Sequence, residues 1–318
     1  MIQGAAGFLC DWSIIAWLAC AGMVLAWGAR WGWPLEWTCH FRVQYAWVLG
    51  ASAVLLAVER QPLQAALAGV GALINVGYIL PLYRREASSH QPGASCRIFF
   101  ANLLASNRSH ERLRRAIGAA HPDLVVLAEF TQEWLAALGD LAADYPHSQA
   151  VMSDRGYGII VFSRLPFTHA EIVYLEHAGP PPILVRVQVA DARLTVIATH
   201  PLAPTTPGHL YYRDQQLLQL ATLVRQQREP VIVVGDLNAT SWSPAFQALL
   251  RRATLRDSRQ GLGIQPSWPV WMPPPLRIPL DHCLVSDGVA VRRRRLGPHV
   301  GSDHLPILVD LSIAGMRT

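Results

Sequence analysis

The sequence predicts an α/β domain of mixed sheets with helices on its outer faces, preceded by three membrane-spanning helices. Two observations carry this. From Cys96 onward, short β-branched runs alternate with helix-like segments, the pattern of strands and helices layered on one core. Before residue 86, three long stretches carry no charge, as spanning helices require. A chain of 318 residues has room for a large domain and an appendage.

The N-terminal region comes first. Trp12–Ala29, Val43–Val58 and Leu63–Tyr83 are uncharged. A spanning helix needs about 20 mostly apolar residues, a length the second segment reaches only by extending back to Phe41, past Arg42. Seven of the eleven Trp lie before residue 50, and Trp and Tyr cluster near segment ends, as in an interfacial belt. Three buried helices of a soluble domain are the competing reading, and they would need a large soluble core around them. A cleaved signal peptide is not expected, because Asp11 is negative and nothing before it is basic. Arg30 and Arg42 flank the first loop, Arg84 and Arg85 follow the third segment, and only Arg60 sits between the second and third. The positive-inside rule then places the first loop and the C-terminal part in the cytoplasm.

Residues 1–85 are therefore read as the membrane region, 86–95 (EASSHQPGAS) as a linker and 96–318 as one domain. In that domain Arg97–Asn102 is predicted as a strand, His110–Ala120 as a helix, Leu124–Glu129 as a strand and Gln132–Leu138 as a helix. Gly158–Ser163 is a strand, and Ile183–Val189 with Leu194–His200 form a hairpin around Asp191 and Ala192. Arg213–Gln226 is a helix and Val231–Gly235 a strand. Pro244–Arg251 is a helix with Ser243 as its cap and Pro244 in first position. His282–Ser286, Val289–Arg294 and Ile307–Leu311 complete the strands.

Composition narrows the function. All 27 basic residues are Arg. Residues 96–318 carry 22 Arg against 18 Asp and Glu, too even a balance for a dedicated duplex binder. Five Cys, with no CxxC pair, give neither a disulfide framework nor a zinc site.

Polar residues at the strand ends carry the chemistry. Asn102, Glu129 and His200 each end an apolar run. VIVVGDLN puts Asp236 and Asn238 just past another. Asp281 stands beside a fourth, and Ser302, Asp303 and His304 precede the last strand. Any one of these is a common turn former, but turns do not need His and Glu. An oxygen-rich set suits Mg²⁺, Mn²⁺ or Ca²⁺ better than zinc. Carboxylates, His and a hard metal suit hydrolysis of a phosphate ester, which needs an activated water and stabilised phosphoryl charge.

The set Asn102, Glu129, His200, GDLN at 235–238, LDH at 280–282 and GSDH at 301–304 resembles the endonuclease/exonuclease/phosphatase superfamily, in the family's order, over about residues 96–314. The combination resembles bacterial membrane-anchored members, which implies a multi-pass protein of the inner membrane. The resemblance implies a four-layer α/β sandwich with two central mixed sheets. It implies Mg²⁺, with Mn²⁺ as an alternative, on Glu129 with Asn102 nearby and Asp303 close to the metal or to the final His. Asp236 would orient or deprotonate water, and Asn238 would hold the scissile phosphate. His304, paired with Asp281, would polarise the phosphate or act as base. His200 would donate to a phosphate oxygen or to the leaving group. Family members often carry Gln before the metal-binding Glu and Trp before the first Asn; here these are Ala128 and Ala101.

The expected function is a membrane-anchored, Mg²⁺-dependent phosphoesterase cleaving phosphodiesters of nucleic acid or phospholipid, its helices in contact with the lipid bilayer. The alternative is a non-catalytic binding module on the same fold. Three features bear on substrate. In QPSWPVWMPPPLRIP (265–279), Trp268 and Trp271 either stack on a base or touch lipid, or belong to a stiff loop that packs its own Trp. Arg277 either meets a phosphate or is solvated. Arg292–Arg295 attracts anionic partners or protects an edge strand, with alternation placing two Arg on each face. For Tyr211, Tyr212 and Arg213, packing is the simpler role.

Overall fold

The computed structural model describes residues 12–84, 93–153, 156–176 and 179–315. The chain divides into two compact units, one ending at Pro81 and the other beginning at Leu82.

In the first unit, α1 (Trp12–Leu25) runs on as a 3₁₀ turn to Trp31. A short α2 (Leu35–Thr38) leads into α3 (Arg42–Val58), and α4 (Pro62–Ile79) follows with Pro62 at its start. Three stretches, 12–31, 35–58 and 62–83, are long and apolar enough to cross a membrane. Their packing is inverted relative to a soluble bundle. Small residues such as Ala16, Ala19 and Ala68 face inward with Leu49 and Leu56, while Leu18, Trp47, Val54 and Leu73 face outward. Small residues at the contact let the helices approach closely. Arg42, past which the second segment had to extend to reach spanning length, is the first residue of α3 and is buried against Asn75 Oδ1 (3.3 Å) and the Tyr78 ring.

The second unit is a four-layer sandwich, as the family resemblance implies. One sheet has the order β11-β12-β1-β2-β4-β3 and the other β5-β6-β7-β8-β10-β9. In the first, the strands are β1 (Ala94–Asn102), β2 (Leu124–Ala128), β3 (His147–Val151), β4 (Ile159–Ser163), β11 (Val289–Leu296) and β12 (Ile307–Ile313). The second holds β5 (Phe167–Ile172), β6 (Ile183–Val189), β7 (Ala192–Ala198), β8 (Val231–Asp236), β9 (Arg256–Asp257) and β10 (Asp281–Val285). Alternation along β1 shows how the layers form. Ile98 and Phe100 face the other sheet, whereas Phe99 and Ala101 face the helices. Helices α5 (His110–Ala120), α6 (Gln132–Ala137) and α7 (Leu141–Asp144) cover the first sheet, and α8 (Pro207–Arg225) and α9 (Pro244–Ala253) the second.

The structure corrects several sequence expectations. The domain's first strand starts at Ala94, inside the expected linker. Helix α8 begins at Pro207, six residues before Arg213, because Thr206 accepts the His209 N–H and Pro207 takes the first position. β2 stops at Ala128 and β7 at Ala198, so Glu129 and His200 lie just beyond their strands. The backbone at Ser243 is extended, but its side chain makes no cap bond. On β11, a bulge between Val291 and Arg293 breaks the alternation. Arg294 alone of the four is buried, donating to Asp281 O at 2.9 Å. β11 is an edge strand, and its exposed arginines sit where charge discourages edge pairing.

Candidate active site

Each sheet supplies half of the site. β1 and β2 run parallel with Asn102 opposite Ala128, so Asn102 and Glu129 leave one rim. β7 and β8 are also parallel, and β10 returns antiparallel with Asp281 opposite Asp236. Gly235 makes this convergence possible, since a Cβ there would lie 1.8 Å from Thr199 O. Gly301, at φ +93°, is needed too, because a Cβ would meet Ser109 Oγ at 2.4 Å. Glu129 (φ 54°) and Asn238 (φ 48°) adopt left-handed backbone. For Glu this costs of order 1–3 kcal/mol and turns the carboxylate off the strand direction.

Asp236 is the hub. Its Oδ2 accepts Asn102 Nδ2 at 3.1 Å and lies 3.6 Å from His304 Nε2 and 3.8 Å from His200 Nε2. Its Oδ1 accepts the Asn238 N–H at 2.9 Å. Asn102 Nδ2 also donates to Glu129 Oε1 at 3.0 Å, while Glu129 Oε2 accepts the Ala105 N–H at 2.9 Å. His304 Nδ1 donates to Asp281 Oδ2 at 2.9 Å. Seven of the eight residues singled out from sequence therefore form one connected set. Asn238 joins through its backbone, and its Nδ2 donates to Pro201 O at 3.0 Å. Asp303 is aimed differently: its Oδ2 accepts Trp268 Nε1 at 2.9 Å, and that indole lies 6.3 Å from His304.

The electrostatics separate the two aspartates. Burial raises Asp236, and the neighbouring Asp281 charge adds to this against the opposing His304 and His200. Burial also works on Asp281, but the His304 charge and the bond from its ring outweigh it and lower Asp281. Burial disfavours a charged His304, yet Asp281 and Asp236 push it up to about 10. The result is an imidazolium–carboxylate pair beside a carboxylate of raised basicity.

The residues fit a hard divalent ion. Glu129 and Asp236 direct two carboxylates at a single amide. Carboxylate and carboxamide oxygens suit Mg²⁺ or Mn²⁺.

Supporting residues had little signal in sequence. Arg213 is fully buried and donates to Asn238 O at 2.7 Å, so packing is its place and the GDLN loop is what it packs. Gln216, one turn on, donates to Thr199 Oγ1 at 3.0 Å, beside His200. Beneath the GDLN loop, Arg259 Nη2 donates to Asp257 Oδ2 (2.7 Å) and His282 Nδ1 (3.1 Å), and His282 Nε2 donates to Ala239 O (2.7 Å). Tyr157 sits with its ring 6.1 Å from His200. Arg277 turns into its own loop, donating to Met272 O and Val270 O, each at 2.7 Å.

A profile of the Endonuclease/Exonuclease/phosphatase family matches residues 88–304. Among solved structures, a humanized D. rerio TDP2 carrying 14 mutations aligns with TM-score 0.58 and 18% identity, over 69% of this chain and 99% of that one. Sphingomyelinase C from Streptomyces griseocarneus aligns with TM-score 0.51 and 18% identity, over 68% and 99%. An endonuclease/exonuclease/phosphatase from Beutenbergia cavernae DSM 12333 aligns with TM-score 0.54 and 20% identity, over 70% and 72%. At such identities the likeness is one of fold. No curated protein matches the chain by sequence.

Proposed function

The chain belongs to the endonuclease/exonuclease/phosphatase family, and from that premise we propose that it is a membrane-anchored, Mg²⁺-dependent phosphodiesterase acting on nucleic acid or phospholipid. The observation that carries this is the convergence on Asp236 of Asn102, His200, Asn238 and the His304–Asp281 pair.

In this reading Asp236, raised by burial, orients the attacking water and takes its proton. A general base in place contributes about 10²–10⁴ in rate. The Asn238 amide and His200 Nε2 hold the phosphoryl oxygens. His304, kept charged by Asp281, stabilises the charge that grows on phosphorus-bound oxygen. Glu129, with Asn102 beside it and Asp303 near His304, would hold the cation, which would supply further charge neutralisation at the phosphoryl group. The three N-terminal helices anchor the chain in an inner membrane. The arginines flanking the first helical loop and following the third helix favour a cytoplasmic catalytic unit.

The test is turnover by purified full-length protein on plasmid DNA, abasic-site duplex, RNA, sphingomyelin and phosphoinositides. Each is assayed with Mg²⁺, with EDTA and with Asp236→Asn. A signal on one substrate class that disappears in both controls is expected. Folded protein that binds Mg²⁺ but is silent across the panel would refute the assignment to these diesters.

A further inference from the structure

Residues 268–278 form a closed loop beside the site. Trp268 and Ile278 pair across its neck, with Trp268 N–H donating to Ile278 O at 3.0 Å and the return bond at 2.6 Å. The neck is fastened to the site through Trp268 Nε1 and Asp303 Oδ2, and through Val270 N–H and Asp303 O at 2.8 Å. Beyond the neck, Trp271 is 72% exposed and Leu276 49%, with Pro273, Pro274 and Pro275 exposed between them.

Most of this tip's backbone N–H groups are bonded or absent. Pro269 and Pro273–Pro275 have no N–H to satisfy, and the N–H groups of Val270, Met272, Leu276 and Arg277 all donate within the loop or to Asp303. The loop's one charged side chain, Arg277, is spent inward on Met272 O and Val270 O. An apolar tip with most of its backbone N–H groups bonded or absent carries little unsatisfied-donor penalty when it leaves water. A nucleic-acid platform would instead keep its cation outward, toward phosphate. The loop's approach is bonded to β11, where Gln265 Nε2 donates to Arg294 O at 3.1 Å. That strand also carries the exposed Arg292, Arg293 and Arg295, and exposed arginines favour an anionic lipid surface.

We propose that Pro269–Leu276 is an interfacial tip that seats in the headgroup–acyl boundary of an anionic bilayer, and that the substrate is accordingly a phospholipid phosphodiester presented at that surface. The substrate half rests on the phosphodiesterase reading above; the lipid contact does not.

The test uses full-length protein in nanodiscs containing phosphatidylglycerol, with a photo-crosslinking amino acid replacing Trp271 or, as control, Tyr174, which is 80% exposed on the connection between β5 and β6. Crosslinks to lipid at position 271, and at least tenfold fewer at 174, are expected. Equal yields at the two positions, or crosslinks from 271 to added single-stranded DNA in preference to lipid, would overturn the lipid contact. In parallel, Trp271→Ser with Leu276→Ser should cut turnover of vesicle phospholipid more than tenfold and leave turnover of bis(4-nitrophenyl) phosphate unchanged. Equal loss on both, or loss on neither, would overturn the substrate half. A wild type inactive on every diester while still crosslinking lipid would sink the enzymatic reading and the substrate half with it, leaving the contact standing.

Discussion

Asn102 Nδ2 donates to Asp236 Oδ2 at 3.1 Å, and this bond ties one sheet to the other at the rim of the site. The same nitrogen serves Glu129, so a neutral amide separates two carboxylates. Asn102→Asp puts a third carboxylate in its place. Loss of a hydrogen bond to charged groups costs about 1.5–3 kcal/mol, and repulsion adds to it. Thermal unfolding in EDTA should fall by several degrees, with Mg²⁺ restoring part of the loss. A melting temperature indifferent to Mg²⁺ in this variant would contradict the cation placement.

The His304–Asp281 pair gives a second expectation. Asp281→Asn leaves the imidazole in place but removes the charge that keeps it protonated. Turnover should drop about 10²–10⁴-fold, as when a histidine loses its orienting carboxylate. His304→Ala should cost about as much, and the double variant little more than either, because the two act as a unit. Multiplicative losses would separate their roles.

Stability should pass through a maximum near neutrality. His282 is buried beside the Arg259 charge and lowered to about 3, burial being the larger cause. The unfolded chain therefore binds this proton first. His282 contributes fully above about pH 6.5, and its contribution is lost toward pH 3, by up to about 1.4 kcal/mol per pH unit. His304 has the opposite sign. Raised to about 10, it contributes fully below about pH 6.5 and loses this as pH rises toward 10. Denaturant unfolding across pH 4–10 reads both limbs. His282→Gln, which keeps a donor for Ala239 O and an acceptor for Arg259, should flatten the acid limb alone.

Arg213 acts on catalysis through position. Its buried guanidinium holds the carbonyl of Asn238, a residue already in left-handed backbone. Arg213→Met keeps the packing volume but frees that carbonyl. The expected result is a kcat reduced about tenfold or more with KM little changed, and a stability loss of about 1–3 kcal/mol. A KM effect alone would assign Arg213 to substrate binding.

The strands that carry the site were legible because they are buried on both faces and read as continuous apolar runs, as in LVVLA and VIVVG. Their polar ends stood out for the same reason. The strands that escaped, His147–Val151 and Phe167–Ile172, are half-exposed and polar, and β9 has only two residues. The start of α8 was hidden by a Pro-Gly pair that looks like a turn. What the sequence could not carry was aim. Nothing in SDH turns Asp303 toward an indole 35 positions away, and nothing near Tyr211 says that Arg213 reaches the GDLN loop.

The strand order has a consequence for how the protein is made. β1 is the first strand of the second unit, yet its antiparallel partner is β12, which covers residues 307–313. During synthesis from the N-terminus, the apolar helices and most of both sheets emerge while β1 still has an open edge and His304 lacks the strand that follows it. The domain thus cannot close its first sheet, or bring His304 into the candidate site, until residues 304–313 have been made. A chain that stops before residue 304 therefore lacks the imidazole that faces Asp236 and Asp281, and with it one member of the candidate site's ion pair.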